Sequence, residues 1–391
     1  MTQAETNKAV TKSKTLVWLE YCLLAVSLAI IALRATITEA VTTQSNSQSI
    51  NLDTSVYSLS ISAVLIFSFV VWLVWSLCSR GFIYRRTSLE IGLLIFIIAA
   101  VFSSFAASDK RIAVTDFVMS IAPVLMAVLL IQILDCPSKI KLVLFVVIAL
   151  GLVNTWQCTE QLSYSNQMLI EQYQQNPEQM LQTFGIAPGS FNQFLFEHRL
   201  YSKGVRGFFT NSNSVGSFAM LSAFAAIGLF IDRWKNLKTN PLAIVTSGIA
   251  LIVLLSALVI IKSKGTIAAF LPVSLIFILL LYFGEKIKPH RKTIILICIL
   301  LGLTAIGAVT IYGLSHDCLP GGNSMLVRWQ YWKASTQMFA DHPASGVGGG
   351  NFGLFYPQYK APGSLETVSD PHSFPLSILT QYGPIGLVGF L

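Results

Sequence analysis

Residues 242–261 read LAIVTSGIALIVLLSALVII, a run with no charged side chain. Wound as a helix it covers about 30 Å, the thickness of a bilayer's hydrocarbon core. Its apolar residues do not alternate at period two, which argues against a strand of an outer-membrane barrel and for a transmembrane helix. Comparable runs occupy 15–33, 57–79, 89–107, 113–133, 141–157, 214–231, 266–283, 293–313 and 374–391. Of the 391 residues 54% are hydrophobic and 11% charged, where a soluble domain carries about a quarter charged. The expected fold is therefore all-α, a polytopic transmembrane helical bundle of about ten spans.

These runs divide the chain into N-terminal helices (1–157), an external loop (158–213), central helices (214–313), a larger external loop (314–373) and a last span (374–391). That last span is either a short crossing or one cut short. The opening MTQAETNKAVTKSK holds three lysines and no small-residue cleavage site, so the first span is expected to be retained. With the N-terminus inside, fifteen of the 26 Lys and Arg residues fall on the shorter, cytoplasmic segments, from Lys8 to Lys292. The positive-inside rule supports that orientation. The net charge of +8 then reflects topology and lipid headgroups, not nucleic acid.

Both external loops are longer than connections usually are without a function. The first, with EQYQQNPEQM at 171–180, has apolar residues at helical intervals and suits an amphipathic surface helix. The second carries Trp329, Trp332, Phe339, Phe352, Phe355, Tyr356 and Tyr359, too aromatic for a disordered tether. Cys158 and Cys318 both fall outside, where an oxidising compartment permits a bridge; two free thiols are the favoured reading, because nothing places them at disulfide distance.

Acidic residues in the spans, Glu20, Glu90 and Asp116, lie near span ends, where snorkelling accounts for them. GVGGGNFG at 346–353 contains G-x-G-x-x-G, yet without the strand before it and helix after it that a dinucleotide site needs. A tight backbone path against the surrounding loop is the better reading of those glycines. Asp341, His342, Asp370 and His372 follow no metal-ligand spacing. What remains in the outer segments is a set of cations and histidines: Arg199, Lys203, Arg206, Lys262, Lys264, Arg328, His342 and His372. Arginine offers a planar fork to phosphate oxygens, and histidine exchanges a proton near neutral pH. Together they suit a reaction in which a phosphate leaves and a hydroxyl attacks.

VRWQYWKASTQMFADHPASGVGGGNFGLFY, residues 327–356, resembles the signature of the O-antigen ligase and polymerase superfamily of bacterial membrane glycosyltransferases. His372-Ser373, followed after nine residues by Gly383 and then by Gly386, is similar to that family's ligase pattern. VRGFFTNSNSVGSFAM at 205–220 and KSKG at 262–265 resemble two further family steps, so the likeness covers roughly 190–391. Two departures stand out. Lys264 replaces a frequent Arg, and Gln381-Tyr382 stands before Gly383 where many relatives carry an acid.

The resemblance implies an inverting, metal-independent transfer of a glycan from undecaprenyl diphosphate to an acceptor hydroxyl, with no cofactor, on the periplasmic face of the inner membrane. Under it His372 is the catalytic base, and Arg206 and Arg328 bind the diphosphate. His342, Lys264 and Asn213 are further candidates for lining the site. For His342, a structural role, its imidazole capping the loop before Pro343, is slightly favoured. Asn213 is expected to satisfy backbone groups where the sixth span begins. The acceptor expected is the lipid A–core oligosaccharide; a growing polysaccharide (polymerase), a protein (O-oligosaccharyltransferase) and a lipid-linked glycan transporter without chemistry stay open as alternatives.

Overall fold

Apolar runs of this length satisfy their backbone polar groups inside hydrocarbon by forming helices. The computed structural model is accordingly helical, with no strand among the residues it describes, which are 14–37, 48–79, 84–87, 89–202, 204–234, 241–320, 323–362, 364 and 366–391. Helices α1 (Lys14–Thr36), α2 (Gln48–Cys78), α3 (Leu89–Ala106) and α4 (Lys110–Ile133) open the chain. α5 (Pro137–Glu160) continues through a π-helical turn, Gln161–Ser165, into α6 (Asn166–Gln175). The short α7 (Pro177–Thr183) and α8 (Phe191–Tyr201) precede α9 (Ser212–Trp234), α10 (Pro241–Ile261) and α11 (Lys264–Ile287). A 3-10 turn at Lys288–His290 leads into α12 (Arg291–His316), α13 (Asn323–Asp341), α14 (Phe352–Tyr359) and α15 (Phe374–Phe390).

Eight described segments are long and apolar enough to cross a membrane. They include the quoted run as Pro241–Ile261, and Lys264–His316, which holds two of the expected spans as α11 and α12. α5 and α6 form one segment to Gln175, so helix continues well into the expected external loop. α15, at 17 residues, falls short of that length. Of the cytoplasmic cations counted above, Lys8, Lys12, Arg80, Lys235 and Lys238 lie outside the described residues, as does Lys203 of the outer set.

The chain forms two compact units. The first comprises Met1–Ile61, Phe67–Ile83 and Leu129–Ile278. In it α5, α9 and α10 pack around Ile148, Ala223, Ala226, Leu229 and Leu254. Small residues permit that approach: a Cβ on Gly151 would lie 2.5 Å from the Ser222 side chain, and the Ser222 hydroxyl lies 3.2 Å from the Val147 carbonyl. Glu20 does not snorkel as expected. It is 3% exposed and pairs at 3.1 Å with Lys139, which also meets Asp135 at 2.8 Å and the Ile133 carbonyl at 2.9 Å. A charge buried to this degree is tolerable only with such partners.

The second unit comprises Ser62–Ile66, Tyr84–Val128 and Leu279–Leu391. Its main contact joins α3 to α15, where a Cβ on Gly92 would lie 2.6 Å from the Gly389 carbonyl and the Phe96 and Tyr382 rings sit 5.0 Å apart. Glu90 accepts the Thr87 N–H (3.1 Å) and the Tyr84 hydroxyl (2.7 Å), so it completes a capping box at the start of α3. Burial, then that bond, pushes the Tyr84 phenol up to about 12. Asp116 of α4, also read as snorkelling, instead accepts the Tyr382 hydroxyl.

Candidate active site

The site in the second unit begins with a broken helix. Pro384 has no N–H to offer the Thr380 carbonyl, and Gly383 leaves the helical path at φ 69°, ψ −175°. The freed carbonyls are taken up by the glycine loop: Val347 N–H donates to Thr380 (2.9 Å) and Gly348 N–H to Gln381 (3.1 Å). The Ser103 hydroxyl also donates to Gln381 O, at 2.5 Å. Side chains have no room here. A Cβ on Gly346 would stand 2.5 Å from the Thr380 carbonyl, and one on Gly383 would stand 2.4 Å from that of Ala344.

Asn351, fully buried, closes the loop by accepting the Asp109 N–H (2.8 Å) and donating to the carbonyls of Asp109 (3.1 Å) and Gly349 (2.8 Å). Gly346 N–H donates to His342 O at 3.0 Å, and Gly350 N–H to the Gln381 side chain at 2.6 Å. With its amides turned inward in this way, the loop is a structural clamp and not a phosphate cradle. The tight-path reading of the glycines holds.

His372 sits just ahead of α15 with its side chain exposed and its backbone left-handed, at φ 53°. That conformation costs a residue with a Cβ about 1–3 kcal/mol. Its N–H donates to Asp370 Oδ1 at 2.7 Å, and the Ser377 hydroxyl donates to Asp370 Oδ2 at 2.7 Å. Gln381 Nε2 donates to Ser377 Oγ at 2.8 Å. The imidazole faces Tyr331 of α13, with ring centres 5.7 Å apart. The buried Tyr331 donates its hydroxyl to Glu366. Burial, then the Glu366 carboxylate, raises this phenol's pKa above its ordinary value, so it stays a neutral donor.

Arg328 lies one turn before Tyr331, and residues three apart share a helix face. It is half-buried and has no hydrogen-bond or ion-pair partner among the described residues. The sequence-predicted base therefore packs on Tyr331, and one predicted phosphate ligand stands one helical turn before that tyrosine. No imidazole cap is formed by His342 among the described residues. Its carbonyl accepts the Gly346 N–H, and its ring packs edge-on against Phe355 at 5.4 Å.

The remaining predicted residues belong to the first unit. Arg206 is half-buried, and its N–H donates to Gln161 Oε1 at 3.0 Å. Burial, then the charge of Arg199, lowers its pKa from the usual value. A guanidinium keeps its proton even so, which leaves a poorly solvated cation suited to an anion. Asn213 accepts the Ser263 hydroxyl at 2.7 Å and thereby ties α9 to the turn before α11. The backbone cap expected of it falls instead to Asn211, which accepts the Ser214 N–H at 2.9 Å. Lys264 is the exposed first residue of α11.

Sequence reasoning missed the roles of Asp370, Ser377, Gln381, Tyr331 and Glu366. Only Asp370-Pro371 carried a local signal, because an Asp two residues before an N–H in a Pro turn is a common side-chain-to-backbone bond. All six cysteines are free. Among the described residues no group of three or more His, Cys, Asp or Glu is arranged to hold a metal ion, and the Asp341 carboxylate accepts the Tyr359 hydroxyl at 2.8 Å.

Residues 249–391 match the family model described as O-antigen ligase. No curated protein and no solved structure matches the chain. The apolar helices and the family match together indicate a multi-pass membrane protein of the glycosyltransferase-like O-antigen ligase and polymerase class. What the chain is similar to, over residues 249–391, is thus the O-antigen ligase superfamily.

Proposed function

We propose that this protein transfers a glycan from undecaprenyl diphosphate to a hydroxyl of the lipid A–core oligosaccharide, at the periplasmic face of the inner membrane. The observation that carries the reading is the exposed His372 imidazole beside Tyr331, itself one helical turn from Arg328, which has no partner among the described residues. The acceptor oxygen attacks the anomeric carbon from the face opposite the diphosphate, so the configuration inverts. His372 takes the hydroxyl proton, the carbon–oxygen bond to the diphosphate breaks, and that leaving group departs with the bonding pair. Arg328 offers two parallel N–H donors to the charge that develops there, the stronger class of hydrogen bond. For Arg206 the role of phosphate ligand rests on the resemblance alone, as does independence from metal. Lys264 and Asn213 remain lining candidates on the same basis.

The test is to incubate the purified protein with undecaprenyl-diphosphate-linked glycan and core oligosaccharide. The expected result is glycan joined to core, with free undecaprenyl diphosphate released. Growth of the lipid-linked chain would identify a polymerase, and transfer to added protein an O-oligosaccharyltransferase. No transfer to any acceptor, with movement of the donor across a vesicle membrane, would identify a transporter.

A further inference from the structure

We propose that Asp370 is the positioning residue for His372. The inference rests on the reading of His372 as the base.

A left-handed backbone is uncommon for a residue with a Cβ, which crowds its own carbonyl, and persists where local bonds support it. Here the conformation, φ 53°, is matched by a 2.7 Å bond from the His372 N–H to Asp370 Oδ1. The carboxylate is itself fixed from behind. Ser377 spends its only hydroxyl proton on Asp370 Oδ2 (2.7 Å), and Gln381 Nε2 supplies the donor that Ser377 Oγ then needs (2.8 Å). Gln381 is anchored at its other end by the Gly350 N–H (2.6 Å), in a loop that already clamps α15. The series Gly350–Gln381–Ser377–Asp370 therefore ends on the backbone that aims the imidazole past Tyr331. Asp370 makes no claim on substrate; it sets where the base points. The arrangement also assigns Gln381, the departure from an acid noted in the sequence, a task a carboxylate could not perform. A carboxylate accepts from Gly350 but cannot donate to Ser377.

A residue that merely stabilises the start of α15 would alter folding and leave turnover per folded molecule unchanged. Misaiming a base by about 1 Å costs up to about 100-fold in rate without weakening substrate binding. The test measures kcat and KM for transfer to core oligosaccharide in folded, monodisperse preparations, with His372→Ala alongside. Asp370→Ala is expected to lower kcat about 10- to 100-fold with KM within about twofold. Asp370→Asn keeps an oxygen for the His372 N–H and should stay within about threefold of the parent protein. Unchanged kcat in Asp370→Ala, or a raised KM alone, overturns the proposal while leaving His372 as base if His372→Ala is inactive. If Asp370→Ala does not fold, Asp370→Asn decides: a folded Asn variant with near-normal kcat supports the turn, and one as slow as His372→Ala overturns it. An active His372→Ala would instead sink the underlying reading.

Discussion

Two apolar helices of the second unit, α12 and α15, use glycine in opposite ways. In α12, nothing lies within 4 Å of a Cβ built on Gly302 or Gly307, and large side chains such as Leu301, Ile306 and Ile311 face outward. Gly313, near its end, is the exception, since a Cβ there would meet the Trp329 ring at 2.5 Å. In α15, Cβ atoms on Gly383 and Gly389 would stand 2.4 Å from the Ala344 carbonyl and 2.5 Å from the Phe96 nitrogen, both in other elements. Lipid tails accept any apolar outline, whereas a protein neighbour demands close approach. The difference therefore separates a helix whose surface suits lipid from one that is built into a site.

Substitutions can break this contrast, and the largest effect belongs at the kink. Gly383→Val puts a branched Cβ at φ 69°, 2.4 Å from the Ala344 carbonyl. It should destabilise the protein by about 3 kcal/mol or more, read as loss of the monodisperse species in detergent; a normal melting temperature would refute the clamp. Next comes Asn351→Ala, which strands the half-buried Asp109 N–H and the buried Gly349 carbonyl and should cost about 1–3 kcal/mol. Thermal melting measures it, and an unchanged transition would mean those groups find other partners.

Smaller still is a pH effect at the end of α12. The hydrogen bond from Lys333, then that from Trp329, lowers the Asp317 carboxyl below its ordinary range. A depressed carboxyl stabilises the fold above its unfolded pKa, and the contribution is lost as pH falls through the folded value. Asp317→Asn should therefore melt slightly lower than the parent at pH 7, with the gap closing under acid conditions. An equal gap at both would assign the effect to something other than charge. The smallest change is expected from Gly307→Ala, within about 1 kcal/mol and toward greater stability, because alanine is the better helix former and meets no neighbour. Marked destabilisation there would show that α12 has a protein partner.

Much of the fold was legible because a span announces itself by an uninterrupted apolar run. The same signal could not tell α12 from α15, since hydropathy averages over the faces of a helix. Nor could it read the intramembrane acids: Glu20 and Asp116 find their partners 119 and 266 residues away, beyond any local pattern. Of the candidate site, the residue types at 328 and 372 were legible, as was the resemblance around them. Their common neighbour Tyr331 was not, because it looks like one more aromatic in a loop rich in them. Gln381 read as the absence of an acid, and only the bonds at its two ends reveal an amide chosen for both donating and accepting.

The central claim is that His372 removes the acceptor's proton, and the single-turnover transfer rate of folded His372→Ala tests it most directly. Loss of a general base costs about 10²- to 10⁴-fold in rate, and a loss of that size, with donor binding retained, is the expected result. A variant that transfers glycan at the parent rate would contradict the assignment of the site.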